Sequence, residues 1–184
     1  DFDREKTSDS LNQIQEKTSK RVRLLSSPNG VIEIQILDLP EPTTESWEVP
    51  IDVVPVQSEN EFLFHKTTMR DIYDEARNRF PDSPDVLLWN ERGEITETTT
   101  GNLVMEIGGQ LFTPPVICGL LPGTFRQQLL DEGAITENVI HRSDLDKASA
   151  IWMINSLRGW VPLRFNQKIT PIVLERAPEQ VYEI

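Results

Sequence analysis

The clearest strand pattern in the chain lies at residues 31–37, where apolar and polar side chains alternate. Ile32, Ile34 and Ile36 fall on one face, as is typical of a half-buried strand. Residues 21–26 also favour a strand, and the sequence SPNG at 27–30 predicts the turn between the two. The hairpin predicted here is marginal by itself in water, so we expect its sheet to continue in strands that are missing here or come from another chain.

A helical pattern begins in the second part of the chain. Apolar residues recur at three- and four-residue intervals, and they predict a helix that begins just after Lys66 and is capped by Thr67 or Thr68. The recurring residues are Met69, Ile72, Tyr73, Ala76 and Phe80. Short strands are predicted at 86–90, 94–97, 103–107 and 110–112. Residues 124–132 predict a helix that ends at Gly133, residues 143–150 a short helix, and residues 151–155 a buried strand.

These elements predict an α+β protein with a mostly antiparallel or mixed sheet. Residues 1–20 are polar and favour only a weak helix or a flexible arm, and residues 38–50 carry three prolines, as a linker does. We therefore divide the chain into an arm and hairpin at 1–37, a linker at 38–50 and a larger domain at 51–184.

Composition restricts the classes of partner. The 184 residues carry a formal net charge of −12, which argues against nucleic acid or an anionic membrane as partner. No apolar run approaches the roughly 20 residues that span a bilayer. The single cysteine, Cys118, permits no intrachain disulfide, so we expect a reducing, cytoplasmic location and a buried, inert thiol. His65 and His141 lack partners at metal-ligand spacing, and we predict no metal site.

Three short segments could carry chemistry, although each has an ordinary structural interpretation. Lys66 lies in FLFHKTT at 62–68. Most lysines are solvated, but one desolvated by aromatic neighbours has the lowered pKa that an imine-forming amine needs. Residues 90–102 could be a hairpin with a charged tip. In LPGTFR at 121–126, a glycine turn exposes the N–H groups of Thr124 and Phe125, an arrangement that can hold a phosphate or simply begin a helix.

Taken in order, these segments resemble the class IV aminotransferase family. The resemblance covers about residues 20–165 and rests on a lysine, then NExGxITExxxxN, then TPP and LLPGTxR, then INSLRGWVP. This family, also called fold type IV, includes branched-chain and D-amino-acid aminotransferases and aminodeoxychorismate lyase. HKTT at 65–68 and NSLRGW at 155–160 are most similar to lyase modules fused to aminodeoxychorismate synthase.

The resemblance implies a pyridoxal 5'-phosphate cofactor held by residues of this chain. Lys66 is implied to hold the cofactor and to shuttle protons. Glu97 is implied to pair with the pyridine nitrogen, where an ionised carboxylate keeps that nitrogen protonated. Asn102 is implied to hold the strand of Glu97 in place.

The remaining implied contacts concern the phosphate and the substrate. Thr124 and Phe125 are implied to give backbone N–H groups to the phosphate, and Ser156 an N–H and a hydroxyl. We assign Arg158 to a substrate carboxylate, with a solvated turn arginine as the alternative.

The implied reaction is that of 4-amino-4-deoxychorismate lyase, which releases pyruvate to form 4-aminobenzoate on the route to folate. The alternatives are a class IV aminotransferase acting on branched-chain or D-amino acids, and an inactive fragment or interaction module. Family members carry an N-terminal small domain, of which residues 21–37 match only the last hairpin. We therefore expect a homodimer with a small-molecule substrate, completed by a missing N-terminal segment or a fused aminodeoxychorismate synthase.

Overall fold

A computed structural model describes residues 4–15, 17–40 and 45–165. The described residues form two compact units, one within residues 1–43 and the other within residues 44–184. None of the helices in the described ranges is both long and apolar enough to cross a membrane.

The first unit contains a short helix and the predicted hairpin. Helix α1 (Arg4–Asn12) precedes strands β1 (Lys20–Ser26) and β2 (Ile32–Asp38), which pair antiparallel as a two-stranded sheet. Gly30 has a φ of +80° in the turn, a conformation that glycine adopts without strain. The strands lie within one residue of their predicted bounds. Ile36 remains 43% exposed, so the apolar face of β2 is only partly covered by the described residues.

The second unit is built on an eight-stranded mixed sheet. Its helices are α2 (Asp71–Arg79) and α3 (Thr124–Asp131), with 3-10 turns at Glu61–Leu63, Val116–Cys118 and Arg142–Lys147. Its strands are β3 (Trp47–Val49), β4 (Leu87–Trp89), β5 (Ile95–Thr98), β6 (Asn102–Ile107), β7 (Gln110–Thr113), β8 (Thr136–Glu137), β9 (Ala150–Asn155) and β10 (Gly159–Phe165).

Strand β6 is the centre of this sheet. The order is β3-β10-β9-β6-β5-β4, and β7 pairs with both β6 and β8. One edge of β6 pairs with β9 from Asn102 to Glu106, whereas the other edge pairs with β5 at Asn102 and with β7 near its end. Most pairs are antiparallel, and β3–β10 and β7–β8 are parallel. The predicted α+β class with a mixed sheet is therefore confirmed.

Both faces of β6 are covered by apolar side chains. Leu103 and Met105 belong to the main core, while Val104 packs with Ile154 of β9 and Leu129 of α3. Helix α2 covers another part of the unit with a separate core. The buried residues of that core are Val56, Leu63, Tyr73, Ala76, Val86 and Leu88. The burial of residues 102–105 of β6 fixes the position of its first residue, Asn102.

One predicted boundary was wrong. Helix α2 begins at Asp71 rather than just after Lys66, because the Thr67 hydroxyl accepts the N–H of Met69 (2.7 Å) and forms a turn outside the helix. Within the predicted linker at 38–50, Trp47–Val49 pairs with β10 as strand β3. A three-residue strand beside Pro50 shows too little alternation to be recognised from sequence.

An ion pair anchors the C-terminal end of α2 to the sheet. Arg79 donates two hydrogen bonds to the buried Asp52 carboxylate, one from Nε (2.7 Å) and one from Nη2 (2.5 Å). Arg77, two residues earlier, donates an exposed hydrogen bond to the carbonyl of Pro84 (3.0 Å).

We expect Arg79→Met to destabilise the chain by about 2–3 kcal/mol, because it leaves the Asp52 charge buried without its partner. The matched variant Arg77→Met should cost less than about 1 kcal/mol. Urea unfolding of both variants measures the difference. Equal destabilisation by the two substitutions would contradict the anchoring role of Arg79.

Candidate active site

Glu97 is the buried acid at the centre of the candidate site. It lies on β5, only 3% exposed, directly across from Asn102 on β6. Its Oε1 accepts hydrogen bonds from the Tyr73 hydroxyl (2.8 Å) and the Leu121 N–H (3.2 Å), and its Oε2 accepts one from Asn102 Nδ2 (3.2 Å). Three elements that are distant in sequence therefore meet at this carboxyl group.

Burial raises the pKa of Glu97 to about 8, against the opposing influence of its hydrogen bonds and of the positive charges of Arg70 and Lys66. Without a further cation at its oxygens, the carboxyl group is mostly protonated at neutral pH. A cationic N–H donor placed at Oε2 would favour the ionised form. The site is thus suited to a partner that carries a proton on nitrogen.

Asn102 joins Glu97 to the loop before α3. Besides its bond to Glu97, Nδ2 donates to the carbonyl of Leu121 (2.8 Å). Gly123 lies directly against this side chain, and a Cβ at that position would collide with Asn102 Oδ1. The loop can follow this path because residue 123 has no side chain.

The first turn of α3 faces the loop after β9. The Thr124 and Ser156 hydroxyls are 3.5 Å apart although 32 residues separate them in sequence. The cap residue Gly123 provides no side-chain hydrogen bond to the helix. The first N–H groups of a helix have no acceptor within it, so those of Thr124 and Phe125 are available to an anion. The structure thus brings together the three predicted phosphate ligands.

Asn155 shapes the loop that carries Ser156. Its Oδ1 accepts the N–H groups of Leu157 (3.0 Å) and Arg158 (2.8 Å), and its Nδ2 donates to the carbonyl of Thr100 (3.1 Å). The loop is thereby tied to the turn between β5 and β6. Sequence reasoning placed Asn155 in a motif but gave it no role.

Arg158 lies in the turn between β9 and β10, with its side chain partly covered. Its guanidinium lies 5.0 Å from the ring centroid of Trp47, in the geometry of a cation–π interaction, and its side chain is half-buried. This stacking fixes the direction of the guanidinium. Trp47 belongs to β3, the strand that the sequence did not predict.

Lys66 differs from the sequence prediction in its surroundings. It is exposed, in an irregular segment between the 3-10 turn and α2, so its aromatic neighbours do not desolvate it. Phe62 is itself 39% exposed and does not cover it. Burial raises the pKa of Glu97, and the Lys66 charge opposes that rise, so Lys66 acts electrostatically on the candidate site.

Sequence reasoning missed Tyr73 and Arg70. Tyr73 was predicted only as a core residue of α2, yet its hydroxyl contacts Glu97. The Arg70 guanidinium lies 4.6 Å from the Tyr73 ring centroid and donates to the carbonyl of Thr99 (2.8 Å). The sequence around a tyrosine on the core face of a helix does not show which group its hydroxyl contacts.

The candidate site is separate from the cavity and the cysteine of the second unit. A cavity of about 500 Å³ lies elsewhere in the second unit, and its lining includes Phe64, Arg92 and Cys118 but none of the predicted site residues. Cys118 is buried as predicted, and burial raises its pKa to about 12. Within the described ranges, no group of three histidine, cysteine or acidic residues could hold a metal ion.

The donor set fits pyridoxal 5'-phosphate. The buried Glu97 suits a protonated ring nitrogen, and the hydroxyls and N–H groups at Thr124 and Ser156 suit a phosphate. The sheet that carries these features is of the fold-type-IV class, since a Mesorhizobium loti structure named "Putative amino-acid aminotransferase" superposes on this chain with a TM-score of 0.79. That structure is 38% identical, and the match covers 88% of this chain and 79% of the other.

The family model described as amino-transferase class IV matches residues 2–164, and the chain belongs to this family. A Schizosaccharomyces pombe protein named "Putative aminodeoxychorismate lyase" is 31% identical over 179 residues, covering 93% of this chain and 74% of the relative. A Legionella pneumophila structure named "Putative 4-amino-4-deoxychorismate lyase" has a TM-score of 0.68 at 21% identity, covering 77% of this chain and 57% of the other, and shows the same fold.

The raised pKa of Glu97 predicts a specific pH dependence of stability. The folded, cofactor-free chain keeps this proton up to about pH 8, whereas the unfolded chain releases it near 4.5. Between these values the folded state binds more protons, so the contribution of Glu97 to stability falls as pH rises. Glu97→Gln should remove this loss. Its free energy of unfolding relative to the parent chain should therefore increase between pH 5 and pH 8.

Urea unfolding at both pH values measures this difference, with Glu106→Gln on the neighbouring strand β6 as the control. Parallel pH profiles for the parent chain and Glu97→Gln would show that Glu97 is ionised over the whole range.

Proposed function

We propose that this chain is the cofactor-binding part of a pyridoxal-phosphate enzyme, and that the enzyme is a 4-amino-4-deoxychorismate lyase. The carrying observation is the buried Glu97 carboxyl group, which is oriented by three donors and has remaining acceptor capacity on Oε2. Burying an acid in a protein core costs free energy, and a cationic ring nitrogen opposite the carboxylate would offset that cost.

Each predicted ligand has a part in holding the cofactor. Lys66 would hold the cofactor through its side-chain amine, and Glu97 would accept the ring N–H. Thr124, Phe125 and Ser156 bind the phosphate, the first two through the N-terminal N–H groups of α3. When bound, the cofactor supplies an electron sink for negative charge that develops on the substrate carbon.

The residues of the chain then control protons and orientation. Glu97 in its ionised form holds a proton at the ring nitrogen. The Lys66 amine would take a proton from the substrate carbon that bears the nitrogen and could return it elsewhere. Arg158, directed by its stacking on Trp47, binds a substrate carboxylate.

The lyase and the aminotransferase differ only after this shared proton removal. In the lyase, the substrate ring becomes aromatic as pyruvate leaves, so no keto acid is needed to complete the cycle. The 31% identity to the relative with the lyase name and the motifs at 65–68 and 155–160 support this choice. The 38% identity to the structure with the aminotransferase name supports the alternative.

We also propose that the working enzyme is a cytoplasmic homodimer and that residues 1–37 belong to an N-terminal small domain. The support for the N-terminal assignment is the two-stranded sheet at residues 20–38, which is too small for independent stability. An inactive module is a weaker proposal, because such a module has no need for Lys66, Glu97 and the glycine turn together.

Incubation with pyridoxal phosphate and reduction with borohydride should fix the pyridoxyl group on Lys66. Peptide mapping by mass spectrometry identifies the labelled residue. Lys66→Ala should lose the label and the absorbance of the bound cofactor near the visible range. Lys147→Ala, at another exposed lysine, should keep both. A label on another lysine of the parent chain would reject Lys66 as the attachment point.

Enzymatically generated aminodeoxychorismate, supplied without any keto acid, distinguishes the two reactions. A lyase should give 4-aminobenzoate and pyruvate in equal amounts over many turnovers. Chromatography of the first product and a coupled dehydrogenase assay of the second provide the measurement. If turnover requires an amino acid and a keto acid together, the protein is an aminotransferase.

A further inference from the structure

A buried hydrogen bond joins Tyr73 to Glu97, and none of the proposed cofactor contacts accounts for it. The hydroxyl donates to Oε1 over 2.8 Å, and the two residues are 7% and 3% exposed. Helix α2 holds the tyrosine ring in the core that also contains Leu63 and Leu88. The hydroxyl is therefore directed by packing, and it cannot leave Glu97 without disturbing the helix.

The two oxygens of Glu97 are used unequally. Oε1 accepts two hydrogen bonds, from Tyr73 and Leu121, and Oε2 accepts one, from Asn102. A carboxylate oxygen offers about two acceptor directions. Among the contacts of the described residues, Oε1 is thus saturated, and the remaining capacity of the carboxylate lies on Oε2.

Arg70 fixes the tyrosine from its other side. Its guanidinium is 4.6 Å from the centroid of the Tyr73 ring, and its Nη2 donates to the carbonyl of Thr99, one residue after β5. Arg70 thereby joins the tyrosine to the end of the strand that carries Glu97. Burial raises the pKa of both Tyr73 and Glu97, and the positive charge of Arg70 opposes the rise in each case.

We propose that Tyr73, held by Arg70, is a positioning residue that stabilises the ionised Glu97 carboxylate through Oε1 and leaves Oε2 to accept from the cofactor's ring nitrogen. The inference rests on the proposed function for the identity of the group at Oε2. The control of Glu97 by Tyr73 is a property of the chain itself and can be measured without cofactor.

The first test follows the Glu97 carboxyl carbon by ¹³C NMR as the pH of the cofactor-free, full-length chain is varied. The carboxyl resonance that is absent from the spectrum of Glu97→Gln is assigned to Glu97. Tyr73→Phe should raise the pKa of Glu97 by about 1 pH unit or more, as expected for loss of a hydrogen bond to a charged group. Thr113→Val, which removes a buried hydroxyl bonded to the Leu103 carbonyl, should leave it unchanged.

The second test strengthens the hydrogen bond without changing the packing. The chain has two tyrosines, Tyr73 and Tyr182, so growth on 3-fluorotyrosine in a Tyr182→Phe background labels residue 73 alone. The more acidic hydroxyl should lower the pKa of Glu97, opposite in direction to Tyr73→Phe. This measurement decides the question even if Tyr73→Phe does not fold. An unchanged Glu97 pKa with 3-fluorotyrosine would overturn the proposal.

A third measurement separates this inference from the proposed function. With ¹⁵N-labelled pyridoxal phosphate, the ring nitrogen should be protonated in the parent chain, and Tyr73→Phe should shift its resonance towards that of a neutral pyridine. A bound ring nitrogen insensitive to Tyr73→Phe would overturn the positioning role. If Tyr73→Phe shifts the pKa of Glu97 but the chain does not bind the cofactor, the proposed function fails. The control of the Glu97 pKa by Tyr73 then still holds.

Discussion

The burial of one carboxyl group, that of Glu97, organises the second unit around the candidate site. A carboxyl group removed from water needs hydrogen-bond donors, and here they come from helix α2, strand β6 and the loop before α3. Each donor fixes the element that supplies it. The same burial that makes Glu97 costly to ionise therefore holds three distant segments in one arrangement.

Two asparagines extend this arrangement to the rest of the site. Asn102 connects Glu97 with the loop at 121–123, and Asn155 connects its own loop with the turn after β5. As a result, the hydroxyls of Thr124 and Ser156 face each other at the ends of rigid elements. Ligand groups placed this way keep their geometry better than groups on unsupported loops.

Membership of the class IV aminotransferase family defines the shared chemistry, while the choice of reaction depends on the substrate. The proposed lyase and the alternative aminotransferase need the same control over ring protonation and the same lysine. They differ in whether the substrate can accept electrons by expelling pyruvate. Selectivity is therefore expected in the groups that bind substrate, of which Arg158 stacked on Trp47 is the candidate in this chain.

The sequence alone determined the fold class, most strand positions and the family, because alternation, glycine turns and ordered motifs are local properties of the chain. It also predicted Glu97, Asn102, Thr124, Phe125 and Ser156, which the structure brings together. Tertiary structure alone decided the exposure of Lys66, the strand at Trp47–Val49 and the contacts of Tyr73 and Arg70. The hydrogen bonds of Tyr73 and Arg70 join residues that are distant in sequence. The spacing of α2 predicts that Tyr73 faces the core, but only the packing of that helix against β5 places its hydroxyl on a buried acid.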